Sequence, residues 1–72
     1  MDVQRLVAMA NDIAAFFDSE PDQAVAAEGV RQHLQKFWEP RMRREIIAHA
    51  RQGGAGLSPT ACLAVEKLAP VA

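Results

Sequence analysis

Two histidines, His33 and His49, and a single thiol, Cys62, are the side chains of this 72-residue chain best suited to metal binding or nucleophilic chemistry. A zinc site needs three or four ligands at characteristic spacing, and a nucleophile needs an activating group held against it. These three residues stand on separate helical stretches without such spacing. Their plain reading is two partly exposed imidazoles and one small buried thiol. The carboxylates are spread over surface positions, with no pair directed into a shared apolar cleft. Four short helices can hardly enclose a pocket of about 300 Å³, so catalysis by this chain alone is not expected.

Gly53-Gly54-Ala55-Gly56 invites comparison with phosphate-binding loops. It lacks the Lys-Ser/Thr of a P-loop and follows no strand, so it reads as a helix C-cap and turn. Its Gly-x-Gly step between two helices is similar to a helix-hairpin-helix DNA motif. There, a small residue follows the second Gly by four positions; here that position is Thr60, and the loop offers no Lys or Arg to a phosphate.

The stretch from His33 to Arg44 is the most distinctive. It holds the only Trp, Phe37, Pro40 and the densest positive charge, in Arg41, Arg43 and Arg44. Three readings are open for those arginines: a solvated face, a docking surface for acidic side chains, or a nucleic-acid contact. Arg beside Trp and Phe is the composition of interface hot spots. Trp38 can anchor the chain's own core, but a Trp at a helix end beside a break better suits a place straddling core and partner. The candidate partner-binding residues are therefore His33, Phe37, Trp38, Arg41, Met42, Arg43 and Arg44.

Four helical patterns must position these residues. Val3, Leu6, Val7, Ala10, Ile13, Ala14 and Phe17 recur at steps of three and four, predicting a helix from Asp2 to Phe17. Phe16 points about 100° from Phe17, either widening the buried face or standing exposed. Ser19, Pro21 and Asp22 predict the next helix start, and its stripe is Ala26, Val30, Leu34 and Phe37. Gly29 within it costs about 1 kcal/mol relative to Ala and can admit a close neighbour. Glu39 before Pro40 predicts a break, with Pro40 opening a third helix on the stripe Met42, Ile46 and Ala50. Ser58-Pro59 opens a fourth, with Ala61, Cys62, Val65, Leu68 and Ala69 apolar and Pro70 as its stop. The expected fold is all-α, a small bundle of three to four short helices forming one domain over 1–72.

Composition bounds the function. Half of the residues are hydrophobic, but many are alanines that bury little area. A chain this short hides only about 60% of the surface its unfolded form exposes. With one Cys there is no internal disulfide to help, so association with another surface is a natural remedy. Net charge is −1, which gives no general pull toward nucleic acid. Residues 1–20 are acidic and residues 40–52 basic, and the acidic segment would repel the phosphates that the arginines attract. No apolar run approaches the ~18 residues of a membrane span. No secretory leader pattern opens the chain either, so a cytoplasmic location is expected.

Three blocks resemble a known family. Met9-Ala10-Asn11-Asp12-Ile13-Ala14-Ala15-Phe16-Phe17 is the first. His33-Leu34 leading to Phe37-Trp38-Glu39-Pro40-Arg41-Met42-Arg43 is the second, and Gly56-Leu57-Ser58-Pro59 the third. Together they are similar to the delta subunit of NAD-dependent formate dehydrogenases, over about residues 3 to 68. The resemblance implies a small noncatalytic subunit of a soluble molybdenum-containing complex, with the catalytic (alpha) subunit as partner. It implies that this chain binds no cofactor itself, and that other chains carry bis-molybdopterin guanine dinucleotide, iron–sulfur clusters, FMN and NAD. It further implies a role in assembly or stability. The alternatives are a transient maturation factor for the molybdenum centre and a small helical nucleic-acid-binding regulator.

Overall fold

Each helix begins at a residue whose backbone is extended and ends where a local feature stops it. The computed structural model describes residues 2–70, which form four helices: α1 (Val3–Phe17), α2 (Gln23–Phe37), α3 (Pro40–Arg51) and α4 (Pro59–Glu66). Asp2 caps α1, its Oδ1 accepting the Gln4 N–H at 2.9 Å. A cap of this kind contributes about 1 kcal/mol. The fold is all-α, and no strand occurs among the described residues.

The start of α2 differs from expectation. Ser19 and Pro21 lie before the helix, and Asp22 is the cap, its Oδ1 accepting the Ala24 N–H at 2.9 Å. The reason is local. Glu20 N–H bonds to the Phe17 carbonyl at 3.0 Å and its carboxylate accepts the Asp22 N–H at 3.2 Å. Those bonds close a turn around Ser19 and Pro21, and the extended backbone needed by a cap comes only at Asp22.

At the other end of α2, Trp38 leaves helical geometry (φ −83°, ψ 138°), and Glu39 remains extended before Pro40 opens α3. After α3, Gly53 and Gly54 adopt φ of 108° and 64°. The Gly54 N–H returns to the His49 carbonyl at 3.0 Å, satisfying the frayed end of the helix. Ser58 Oγ accepts the Ala61 N–H at 3.2 Å to start α4. That helix stops at Glu66, ahead of Pro70, through short-range bonds from Lys67 and Leu68 to the Ala64 and Val65 carbonyls. It buries Thr60 and Ala64, while Cys62 is half-buried and Ala69 exposed.

The two central elements are α1 and α4, which touch each other. Both α2 and α3 pack on each of them, whereas α2 and α3 themselves scarcely meet. Six of the fifteen buried apolar residues are alanines, so the helices lie close and the interior is thin. The largest side chain placed there is that of Trp38, 5% exposed. It takes the interior position that the stripe on α2 assigned to Phe37, which is 68% exposed. Leaving the helical wheel at residue 38 directs the larger ring inward, so the expected order of the two aromatics is reversed.

Candidate functional site

The seven residues singled out around the bend divide between inside and outside. Trp38 belongs to the core and Met42 packs against it from a half-buried position. The expectation that Trp38 straddles core and partner is thus corrected, because its surface is used by its own chain. Arg43 is half-buried and faces back onto α2, its Nη1 donating to the carbonyls of Trp38 and Gln35. A cation at these carbonyls offsets the partial negative charge of the helix C-terminus. Its Nε is buried without a partner. Arg41 and Arg44 are exposed, and Arg41 reaches Glu45 only at 3.9 Å, a loose pair of little energetic weight. His33 is half-buried, its ring centroid 4.8 Å from that of Phe37 and tilted by 49°.

A second group of aromatics gathers on the α1–α2 face. Phe16 is 77% exposed and meets Phe17 edge-to-face, with centroids 5.3 Å apart. Phe17 is half-buried and lies directly on Gly29. A Cβ at position 29 would sit 2.6 Å from that ring, so the missing side chain is what lets α2 seat it. Three shallow, open depressions meet around Phe17. One runs past Gly29 and His33 to Phe37, one past Glu20 and Val25, and one between Asp12, Ile13, Phe16 and His33. They share Phe17 and together make an aromatic furrow, to which the stretch from His33 to Arg44 contributes His33, Gln35, Lys36 and Phe37. In the sequence, Phe16 lying off the α1 stripe was the available sign of it. Gly29, expected to admit a close neighbour, does so with Phe17, while Val25 gave no sign, since its place depends on how α1 crosses α2.

Elsewhere in the bundle, polar side chains act as fasteners. Asn11 Nδ2 donates to the Gly56 carbonyl at 2.8 Å while its Oδ1 accepts the Ser58 N–H at 2.8 Å. Thr60 Oγ1 donates to Asp18 Oδ1 at 2.6 Å, and His49 Nε2 lies 2.7 Å from the Ala55 carbonyl. Sequence reading passed over Asn11, Asp18 and Thr60, whose partners are more than forty positions away.

His33, His49 and Cys62 sit on α2, α3 and α4. Among the described residues no group of three or more His, Cys, Asp or Glu side chains is close enough to hold a metal ion. Burial pushes the Cys62 thiol up from its ordinary range, and the Glu66 carboxylate, 3.7 Å from the sulfur, adds to the effect. A thiol so placed is mostly protonated near neutral pH, and so poorly nucleophilic. What the arrangement offers chemically is contact area: an aromatic furrow and, on α3, exposed arginines.

No helix among the described residues is long and apolar enough to cross a membrane. Residues 5–65 match the family model of the NADH-dependent formate dehydrogenase delta subunit FdsD. No curated protein and no solved structure gives a significant match.

Proposed function

The chain belongs to the FdsD family, and from that premise we propose that it is a noncatalytic accessory subunit of a soluble, cytoplasmic, NAD-dependent molybdenum formate dehydrogenase. In this reading the catalytic subunit is its partner. The molybdopterin guanine dinucleotide, iron–sulfur clusters, FMN and NAD belong to other chains. One observation carries the reading: Phe16 and Phe37 stand largely exposed on a chain whose own interior is rich in alanine. Two exposed phenylalanines on so small a molecule amount to apolar surface that a partner would cover.

The bend is the docking element. Phe37 and His33 supply apolar and aromatic contact, and Arg41 and Arg44 supply charge-assisted hydrogen bonds to carboxylates or carbonyls. Trp38, Met42 and Arg43 hold the bend in shape from behind. A subunit that binds the assembled enzyme and not its dissociated or unfolded parts stabilises it by mass action, by about 2.7 kcal/mol when present at a hundred times its Kd.

The test compares the complex produced with and without this chain. Without it, the enzyme is expected to lose activity faster on warming and to contain less molybdenum per catalytic subunit. Equal half-lives and equal metal content would refute the accessory role. Stoichiometry in the purified enzyme distinguishes a resident subunit from a transient maturation factor: the reading requires one that remains.

A further inference from the structure

We propose that the furrow between α1 and α2, centred on Phe17, is a receptor for an apolar segment of another formate dehydrogenase subunit that carries an arginine or lysine, and that this cation seats between Asp12 and the ring of Phe16. The proposal rests on the accessory-subunit reading and extends it from the bend to a surface on α1.

The chemistry of the occupant follows from the furrow itself. Its floor is apolar: Ile13, Phe17 and the bare backbone of Gly29. Next to that floor, the depression lined by Asp12, Phe16 and His33 combines an exposed carboxylate with an exposed aromatic face. Among the described residues Asp12 has no cationic partner, whereas Glu28 on the opposite wall is already held by Arg31 at 2.7 Å. A guanidinium or ammonium entering there meets an opposite charge and a π-face together, and its aliphatic stem lies on Phe17. An acidic group at that position meets Asp12 instead and is repelled. Of the two cations that line these depressions, Arg31 is held by Glu28, and Lys36 lines the one that runs to Phe37, not the one that holds Asp12 and Phe16.

Phe16 and Asp12 are both exposed, so replacing them leaves the core untouched. The experiment tags the catalytic subunit, purifies the complex, and measures how much of this chain is retained for wild type, Phe16→Ser, Asp12→Asn and Asp12→Arg. Thermal unfolding of each isolated chain serves as the folding control. Phe16→Ser and Asp12→Arg are expected to weaken retention about thirtyfold, the scale of an interface hot spot. Asp12→Asn is expected to weaken it less and to flatten its dependence on salt. If the wild-type chain is not retained, the accessory reading fails and the furrow with it. If wild type is retained and the variants equal it, the furrow alone is wrong. A free chain that sediments as a dimer, and as a monomer once Phe16→Ser is introduced, would assign the furrow to a second copy and overturn the proposal.

Discussion

The two helix connections that flank α3 solve the same problem in opposite ways. Between α2 and α3 the chain turns through Trp38 and Glu39 with ordinary negative φ, and the turn is held by side chains: an indole sunk in the core and an arginine across two carbonyls. Between α3 and α4 it turns through Gly53, Gly54 and Gly56, all at positive φ, and the turn is held by backbone conformation, the amide of Asn11 and the ring of His49. The first connection depends on what it buries and the second on what it omits. The bend is also where inside and outside are sorted, with Phe37 outward and Trp38 inward at adjacent positions. A turn fixed by side-chain burial can present a neighbouring residue to a partner without moving. A glycine turn fastened to α1 has no such neighbour to offer.

The strongest way to break this comparison is Trp38→Ala. Deleting a buried indole is expected to cost about 3–5 kcal/mol, comparable to the whole stability of a small domain. Phe37→Ala next to it should change stability by less than about 0.5 kcal/mol. Thermal or urea unfolding measures both, and similar losses at the two positions would mean that the bend does not sort its aromatics. Next in size is Asn11→Ala, which removes both of the Asn11 bonds to the glycine turn and leaves the Ser58 N–H part-buried without its acceptor. The expected loss is about 2 kcal/mol, seen as a lower urea midpoint at unchanged slope.

Gly54→Ala probes the backbone share of that turn. The added Cβ would meet only ordinary contacts, 3.5 Å from Leu57 and farther from the rest, so the cost is the left-handed conformation at φ 64°. That cost is about 1–2 kcal/mol. A neutral result would show that the side chains of Asn11 and His49 hold the turn without help from the glycine backbone.

The smallest effect lies outside both connections and gives their baseline. Hydrogen bonds from Arg31, and then Gln32, lower the Glu28 carboxyl from 4.5 to about 2. A depressed carboxyl contributes stability above its unfolded pKa and loses it as pH falls through the folded one. The Glu28 contribution should therefore fade from about pH 4.5 down to about 2. Because the pair is on the surface, Glu28→Gln should flatten this acid limb of a Tm–pH curve only slightly.

Much of the fold was legible in the chain because helices are local. The stripe on α1, the break before Pro40, the glycines after α3 and the cap at Ser58 each follow from residues within a few positions of one another. The errors were of two kinds. At Ser19 one cap signal competed with another three residues on, and the hydrogen bonds of Glu20 decided for Asp22. At Phe37, the last helical residue, the stripe placed the wrong aromatic inward, because the backbone leaves the helix at Trp38 and the indole takes the interior. For the candidate surface, the sequence marked Phe37, His33 and the exposed arginines. It could not group Phe37 with Phe16, Phe17 and Asp12, which depend on the seating of Phe17 against Gly29.

Periodicity, caps and breakers thus determined by themselves that this is a chain of four short helices with a thin, alanine-rich interior. Its blocks of residues pointed to the family to which it belongs. Tertiary structure alone decided which aromatic turns inward, that Arg43 serves its own backbone, and that Asn11 and Thr60 fasten α1 to the start of α4. The reason is one of range. Helix geometry is written in separations of three and four residues, whereas the choice between burial and exposure is settled by whatever distant segment arrives to fill or leave the space.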